Sequence, residues 1–211
     1  MEGINPDLIT KAGYKFTKLD PNIYVVHDFA TPEECKKLIA FGENSSQEAW
    51  EHNYIEGIKD RVEARYGHRD LEKVPEVEVT HNWHDKVINF SDEERPLIHK
   101  LKRDAQQFFE GELYLRAFGI LQRQYPGVSL TAHYDQYVDD RMKFACVLYL
   151  NDDYNDGVLF FSNKDISYKA KAGELVLFPG TEEYTHGVTE VTEGPTRYVC
   201  PAFVWNHPTA F

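Results

Sequence analysis

The sequence predicts an α+β fold that is mainly β: a jelly-roll core, or double-stranded β-helix, supported by N-terminal helices. Two observations carry this. After Ala117 the chain divides into eight short runs rich in β-branched and aromatic residues, at 118–125, 128–133, 142–150, 158–161, 166–169, 175–178, 185–188 and 197–205. Pro126-Gly127, Asn155-Asp156-Gly157, Ala172-Gly173 and Gly194-Pro195 supply turns between them. Short strands in such succession are the pattern of an antiparallel sandwich or barrel, and a jelly roll accommodates eight. Before Ala117, two N-cap signatures each precede apolar residues at helical spacing, so helices are expected on the N-terminal side only. We read one domain, with 1–116 as strand, helices and covering loops and 117–211 as the jelly-roll core.

Residues 1–19 show weak periodicity and read as a short helix or arm. The run NIYVVHDF at 22–29 reads as a strand. Thr31, Pro32 and Glu34 supply an N-cap, a first helical residue and a capping-box partner. The helix they start has an inner stripe of Cys35, Leu38 and Ile39 and is expected to stop at Gly42, in a left-handed C-cap. Residues 44–80 lose the pattern and read as mobile covering loops, long enough for a lid. Ser91 and Glu94 form a second capping box, predicting a helix over 92–110 with Leu97, Ile98, Leu101, Ala105, Phe108 and Phe109 inward.

Composition narrows the function. Acidic residues number 35 against 23 basic, a formal charge of −12 that opposes sequence-independent binding to nucleic acid. The N-terminus lacks a basic segment followed by an apolar one, and no run of about 18 apolar residues occurs. A soluble, unexported, cytoplasmic protein without membrane partners is expected. Cys35, Cys146 and Cys200 are scattered and odd in number, which favours reduced thiols over disulfides or a zinc site.

The chemistry concentrates in LQRQYPGVSLTAHYD, 121–135. His133 and Asp135 are two residues apart at a strand end, so on an extended chain both side chains face one ion. His186, in EYTHGV on a later strand, is the candidate third ligand. Two imidazoles and a carboxylate with open positions form the facial set that suits non-haem Fe(II). In a jelly roll the second and seventh strands are neighbours, so the three converge at the barrel mouth. Eleven residues after His186, Arg197 offers a fixed cation for an anionic co-substrate.

RQYPG at 123–127, HYD at 133–135, VLYLNDDY at 147–154, DGVLFF at 156–161, KAGELVLFPG at 171–180, and YTHGV followed by GPTRY up to Tyr198 together resemble the catalytic core of the 2-oxoglutarate- and Fe(II)-dependent oxygenases. The resemblance is closest to the prolyl 4-hydroxylase-like branch, whose opening strand and helix YVVHDFATPEECKKLI also resembles, while 41–92 has no match. It implies a dioxygenase using Fe(II), 2-oxoglutarate and O2, with ascorbate as an optional reductant. Hydroxylation of a C–H bond would release succinate and CO2. The implied substrate is a prolyl residue of a peptide or protein. It also implies that Tyr149 donates a hydroxyl to the carboxylate held by Arg197, and that Tyr125 lies beside the co-substrate or the iron; a core aromatic is the alternative for each. Two departures stand out: Arg197 replaces the lysine of many prolyl 4-hydroxylases, and Asp156-Gly157 replaces a glycine pair.

Other features carry less. RYGHRD at 65–70 reads as a solvated loop or a substrate contact, and His81 with His84 lacks a third ligand. Trp205 reads as a pocket wall or as core, and Asp139-Asp140-Arg141 as a flap or a plain turn. Rival functions keep the cofactors but change the substrate to a free amino acid, another side chain or, against the charge, a nucleobase. A non-catalytic jelly-roll binding or sensing module is the rival of another class.

Overall fold

The computed structural model describes residues 3–46, 49–52, 85–88, 90–116, 118–137 and 139–208, without the side chains of 51–52 and 85–88. RYGHRD and the His81–His84 pair lie outside the described residues.

The first nineteen residues are more ordered than weak periodicity predicts. β1 (Gly3–Ile4) leads into α1 (Pro6–Lys11), which Asn5 caps by accepting from the Asp7 backbone N–H, and β2 (Phe16–Asp20) follows. β3 (Ile23–Val26) is the predicted strand, buried along its whole length. α2 (Pro32–Asn44) begins with the predicted capping box: the Thr31 hydroxyl accepts from the Glu34 N–H, and the Glu34 carboxylate accepts from the Thr31 N–H. Gly42 does not end it. Gly42 is helical and buried because Leu121 and Trp50 press against it; an added Cβ would stand 2.7 Å from Leu121 Cδ2. The missing side chain serves packing here, and the helix ends at Ser45 in extended backbone.

Two short strands replace part of the expected loop: β4 (Trp50–His52) pairs with β5 (Asp85–Ile88). With three and four residues, they are too short for alternation to register. α3 runs from Arg95 to Gln106, later and shorter than predicted. The Ser91 and Glu94 side chains bond each other instead of closing a capping box, and residues 92–94 form a turn. Pro96 is the reason: it lacks an N–H and its ring would strike the carbonyl of residue 92, so only the first helical turn tolerates it. At the other end the chain leaves the helix to form β6 (Phe109–Glu110) against β1, and β7 (Tyr114–Leu115) follows.

All eight predicted C-terminal strands are present: β8 (Ile120–Gln124), β9 (Leu130–His133), β10 (Met142–Tyr149), β11 (Leu159–Phe161), β12 (Ile166–Tyr168), β13 (Leu175–Pro179), β14 (His186–Val188) and β15 (Arg197–Trp205). Every pairing is antiparallel. The larger sheet runs β2-β3-β13-β10-β15-β8-β5-β4, with β7 beside β15, and the smaller β12-β11-β14-β9. Eight core strands thus form the two faces of a jelly roll, which the N-terminal half widens at both edges.

Two apolar clusters follow. One, including Leu38, Leu101, Phe108, Phe118, Leu121, Leu148, Leu177 and Cys200, fills the space between helices and the larger sheet. The other, including Ala145, Tyr149, Phe161, Phe178, Tyr184 and Val199, lies inside the jelly roll. The three cysteines are buried and unpaired, as expected. No helix of the described residues is long and apolar enough to cross a membrane.

One irregularity positions the site. Between the register pairs His186↔His133 and Val188↔Leu130, β9 spends two residues where β14 spends one, a bulge that aims the end of β9 inward. Gly187 makes it possible, since a Cβ there would meet the Leu130 carbonyl oxygen and Phe160 Cζ at 2.6 Å each. Gly187→Ala is expected to cost about 2–3 kcal/mol by overpacking. Thermal melting should show a loss of roughly 5–10 °C for a chain of this length.

Candidate metal and anion site

The predicted ligands converge. His133 ends β9, Asp135 opens a 3-10 turn (Asp135–Tyr137), and His186 opens β14; their ligand atoms all lie within 4.8 Å of one another. Asp135 joins through the turn, not through strand alternation, and its Oδ1 stands 3.9 Å from His133 Nε2. Gly180 gives it room, since a Cβ there would lie 3.2 Å from the Asp135 Cβ. The Gln136 N–H donates to the Gly180 carbonyl at 2.9 Å, fastening the turn to the end of β13.

Both imidazoles are set for coordination. His133 Nδ1 is 2.9 Å from the Thr131 carbonyl and His186 Nδ1 is 3.0 Å from the Tyr184 carbonyl. A carbonyl only accepts, so each Nδ1 carries the proton and each Nε2 presents a lone pair. This hydrogen bonding fixes tautomer and ring orientation as in known metal sites. Phe178 at 4.5 Å and Phe161 at 5.9 Å wall the His186 ring.

Burial, and then the neighbouring His133, push His186 down to about 3, so it stays neutral at physiological pH. Burial pushes Asp135 up to about 7, and its Oδ2 has no hydrogen-bond partner. A buried carboxylate oxygen without a donor is costly, and a cation is the partner that the surrounding groups fit. Without metal, the folded state holds the Asp135 proton more tightly than the unfolded chain. Stability is therefore present below the unfolded value, near 4, and falls as pH rises through 7. The metal-free Asp135→Asn variant should then melt higher than the parent at pH 8, by on the order of 10 °C, with no gain at pH 4. Metal binding must displace the Asp135 proton, so affinity should fall below pH 7.

A second feature is a buried cation. Arg197 opens β15, is 3% exposed, and donates from Nη1 to the Gln124 Oε1, while its Nε has no partner. No carboxylate pairs with it among the described residues. Tyr149 is buried with its ring centroid 5.0 Å from the Arg197 Cζ; burial raises its hydroxyl's pKa and Arg197 opposes the rise. A buried guanidinium facing buried hydroxyls is suited to hold a carboxylate.

Tyr125 directly follows β8. The register pairs Arg197 with Gln124 and Tyr198 with Arg123, so Arg123 faces away from Arg197. Tyr125 is exposed, with its ring centroid 5.0 Å from the Arg123 guanidinium. Sequence reasoning missed Gln124 and also Tyr154, a buried tyrosine whose hydroxyl has no partner. The signal for Gln124 lay in alternation relative to Arg197, which becomes readable only once the β8–β15 register is known. Trp205 is buried under Arg116 at 3.8 Å and beside Arg141 at 5.2 Å, and Arg141 is clamped by the Asp139 carboxylate at 2.8 and 2.5 Å.

Residues 120–205 match the family model of the 2OG-Fe(II) oxygenase superfamily. The match likens the jelly-roll segment to that superfamily. The oxygenase fold extends beyond the segment in solved structures. A viral collagen prolyl hydroxylase from Paramecium Bursaria Chlorella virus-1, in its 2OG complex, is 15% identical with TM-score 0.60, covering 86% of this chain and 94% of its own. A Pseudomonas putida prolyl-4-hydroxylase is 18% identical with TM-score 0.52, over 96% and 98%. A Trichoplax adhaerens prolyl hydroxylase in complex with a hypoxia inducible factor peptide fragment is 13% identical with TM-score 0.54, over 95% and 86%. No curated protein matches the chain in sequence. At these identities the oxygenase neighbours establish shared architecture. The superfamily's Fe(II) and 2-oxoglutarate suit the donor set and the buried Arg197.

Proposed function

We propose that the chain is a 2-oxoglutarate-dependent hydroxylase that binds Fe(II) through His133, Asp135 and His186 and acts on a prolyl residue of a peptide or protein. The observation that carries this reading is the donor set: two neutral imidazoles with Nδ1 bonded to backbone carbonyls, and a buried carboxylate oxygen without a partner. Bound Fe(II) with 2-oxoglutarate supplies O2 activation, with the keto acid leaving as succinate and CO2 and one oxygen atom entering a C–H bond.

The chain's own residues bind, orient and exclude water. His133, Asp135 and His186 would hold the metal and leave its remaining positions to the keto acid and O2. Arg197, with Tyr149 beside it, holds the distal carboxylate of 2-oxoglutarate in a pocket that bulk water does not reach, which fixes the direction of the keto end. Phe161 and Phe178 keep the His186 side dry. The substrate assignment draws support from the prolyl hydroxylases among the structural neighbours. It also draws support from Tyr137, an exposed aromatic in the turn that carries Asp135, against which a prolyl ring can pack.

Incubation of proline-containing peptides with protein, Fe(II), 2-oxoglutarate and ascorbate should yield a product heavier by one oxygen atom. Fragmentation should place the oxygen on proline. Oxygen on another side chain would overturn the prolyl assignment and leave the cofactor assignment standing.

A further inference from the structure

We infer that Tyr154 donates its hydroxyl to the same distal carboxylate that Arg197 pairs with, and that Lys169 positions the Tyr154 ring for this role. This rests on the proposed 2-oxoglutarate site.

Tyr154 follows the LYLN strand, is 2% exposed, and carries a buried hydroxyl without a hydrogen-bond partner. Arg197 carries a buried Nε in the same condition. Asn151, three residues before Tyr154, donates to the Thr196 carbonyl at 2.8 Å and accepts from the Tyr198 N–H at 2.8 Å, and Gly194 lies against the Tyr154 Cα, so Tyr154 is held beside the start of β15 that carries Arg197. Burial lifts the Tyr154 hydroxyl to about 12 against the opposing Arg197 charge, so it keeps its proton and can donate it. Tyr149, already assigned to this carboxylate, acts on the same hydroxyl. Buried donors without partners call for an acceptor that the protein itself does not supply.

The ring is held from several sides. Lys169 Nζ sits 3.4 Å from its centroid and donates to the carbonyls of Tyr154 at 2.9 Å and Asp156 at 2.6 Å. A Cβ on Gly157 would meet Tyr154 Cε2 at 2.8 Å, and one on Gly194 would meet Tyr154 Cα at 2.9 Å. Asp156 and Gly157 both have φ of 57°, so the turn replacing a glycine pair keeps left-handed backbone at both positions. The side chain is thus fixed while its polar end is left open, an arrangement that costs stability unless a ligand accepts from it.

Calorimetry on Mn(II)-loaded protein without oxygen tests the inference, with Tyr154→Phe removing only the hydroxyl. A hydrogen bond to a charged group predicts 2-oxoglutarate binding weakened roughly 10- to 100-fold. Mn(II) affinity should stay within about twofold, and the ligand-free melting temperature should not fall, because an unsatisfied buried group has been removed. Lys169→Met should weaken 2-oxoglutarate binding to a smaller extent. Unchanged 2-oxoglutarate binding in Tyr154→Phe overturns the inference, as does equal weakening of Mn(II) and 2-oxoglutarate, which marks a structural role. If the parent binds Mn(II) but no 2-oxoglutarate, the co-substrate assignment itself fails.

Discussion

Replacing Asp135 with alanine is expected to lower divalent-metal affinity by roughly a hundredfold or more, from about 3 kcal/mol per ligand when structural-site binding energies are divided over four ligands. Turnover of 2-oxoglutarate should fall below detection with it. Asp135 is the anionic member of the set, so its loss removes charge neutralisation as well as a bond, and two imidazoles remain. Metal titration followed by calorimetry gives the affinity. His186→Ala should act similarly, but with a difference in the metal-free protein. Removing His186 opens a hole beside Phe161 and Phe178 and costs stability. Removing the Asp135 carboxylate above pH 7 relieves a buried charge that lacks a donor at Oδ2. The two variants therefore separate on melting temperature at pH 8 while agreeing on metal binding.

Arg197→Gln is expected to weaken 2-oxoglutarate binding by about 10²- to 10⁴-fold, the cost of about 3–5 kcal/mol for breaking a buried charge pair. Its effect on metal affinity should be small, because Arg197 touches none of the three ligands. Without co-substrate, the guanidinium is a buried cation hydrogen-bonded to the neutral Gln124. The ligand-free variant should thus be about as stable as the parent, and thermal shift by 2-oxoglutarate should shrink in proportion to the lost affinity. Arg197→Lys restores the charge without the two-pronged geometry and should recover part of the binding.

Much of this was legible in the sequence, for physical reasons that differ by element. Each of the eight C-terminal runs is rich in β-branched and aromatic residues and bounded by turn residues, so strand existence could be read directly; the ends moved by up to two residues, as at Leu130 and Leu159. Thr31 and Glu34 announced their helix because a capping box is local chemistry. Gly42 misled because glycine also serves close packing, and the Leu121 contact that requires it lies far along the chain. Pro96 overruled the Ser91–Glu94 signature through a backbone clash that the side-chain pattern does not show. Within the site, His133, Asp135, His186 and Arg197 could be found as residue types at suggestive spacing. Gln124 escaped notice because its place beside Arg197 is decided by strand alternation, and that alternation is anchored by the β8–β15 register. Tyr154 escaped notice because a buried tyrosine looks the same whether its hydroxyl is satisfied or open.

The central claim is that His133, Asp135 and His186 hold Fe(II) for 2-oxoglutarate turnover. Its most direct measurement is succinate formed and O2 consumed by the Fe(II)-loaded protein and by the Asp135→Ala variant, each supplied with 2-oxoglutarate and peptide. The account predicts matched succinate and O2 for the parent and neither for the variant. Turnover by Asp135→Ala at the parent's rate, or a parent that binds neither Fe(II) nor 2-oxoglutarate, would contradict it.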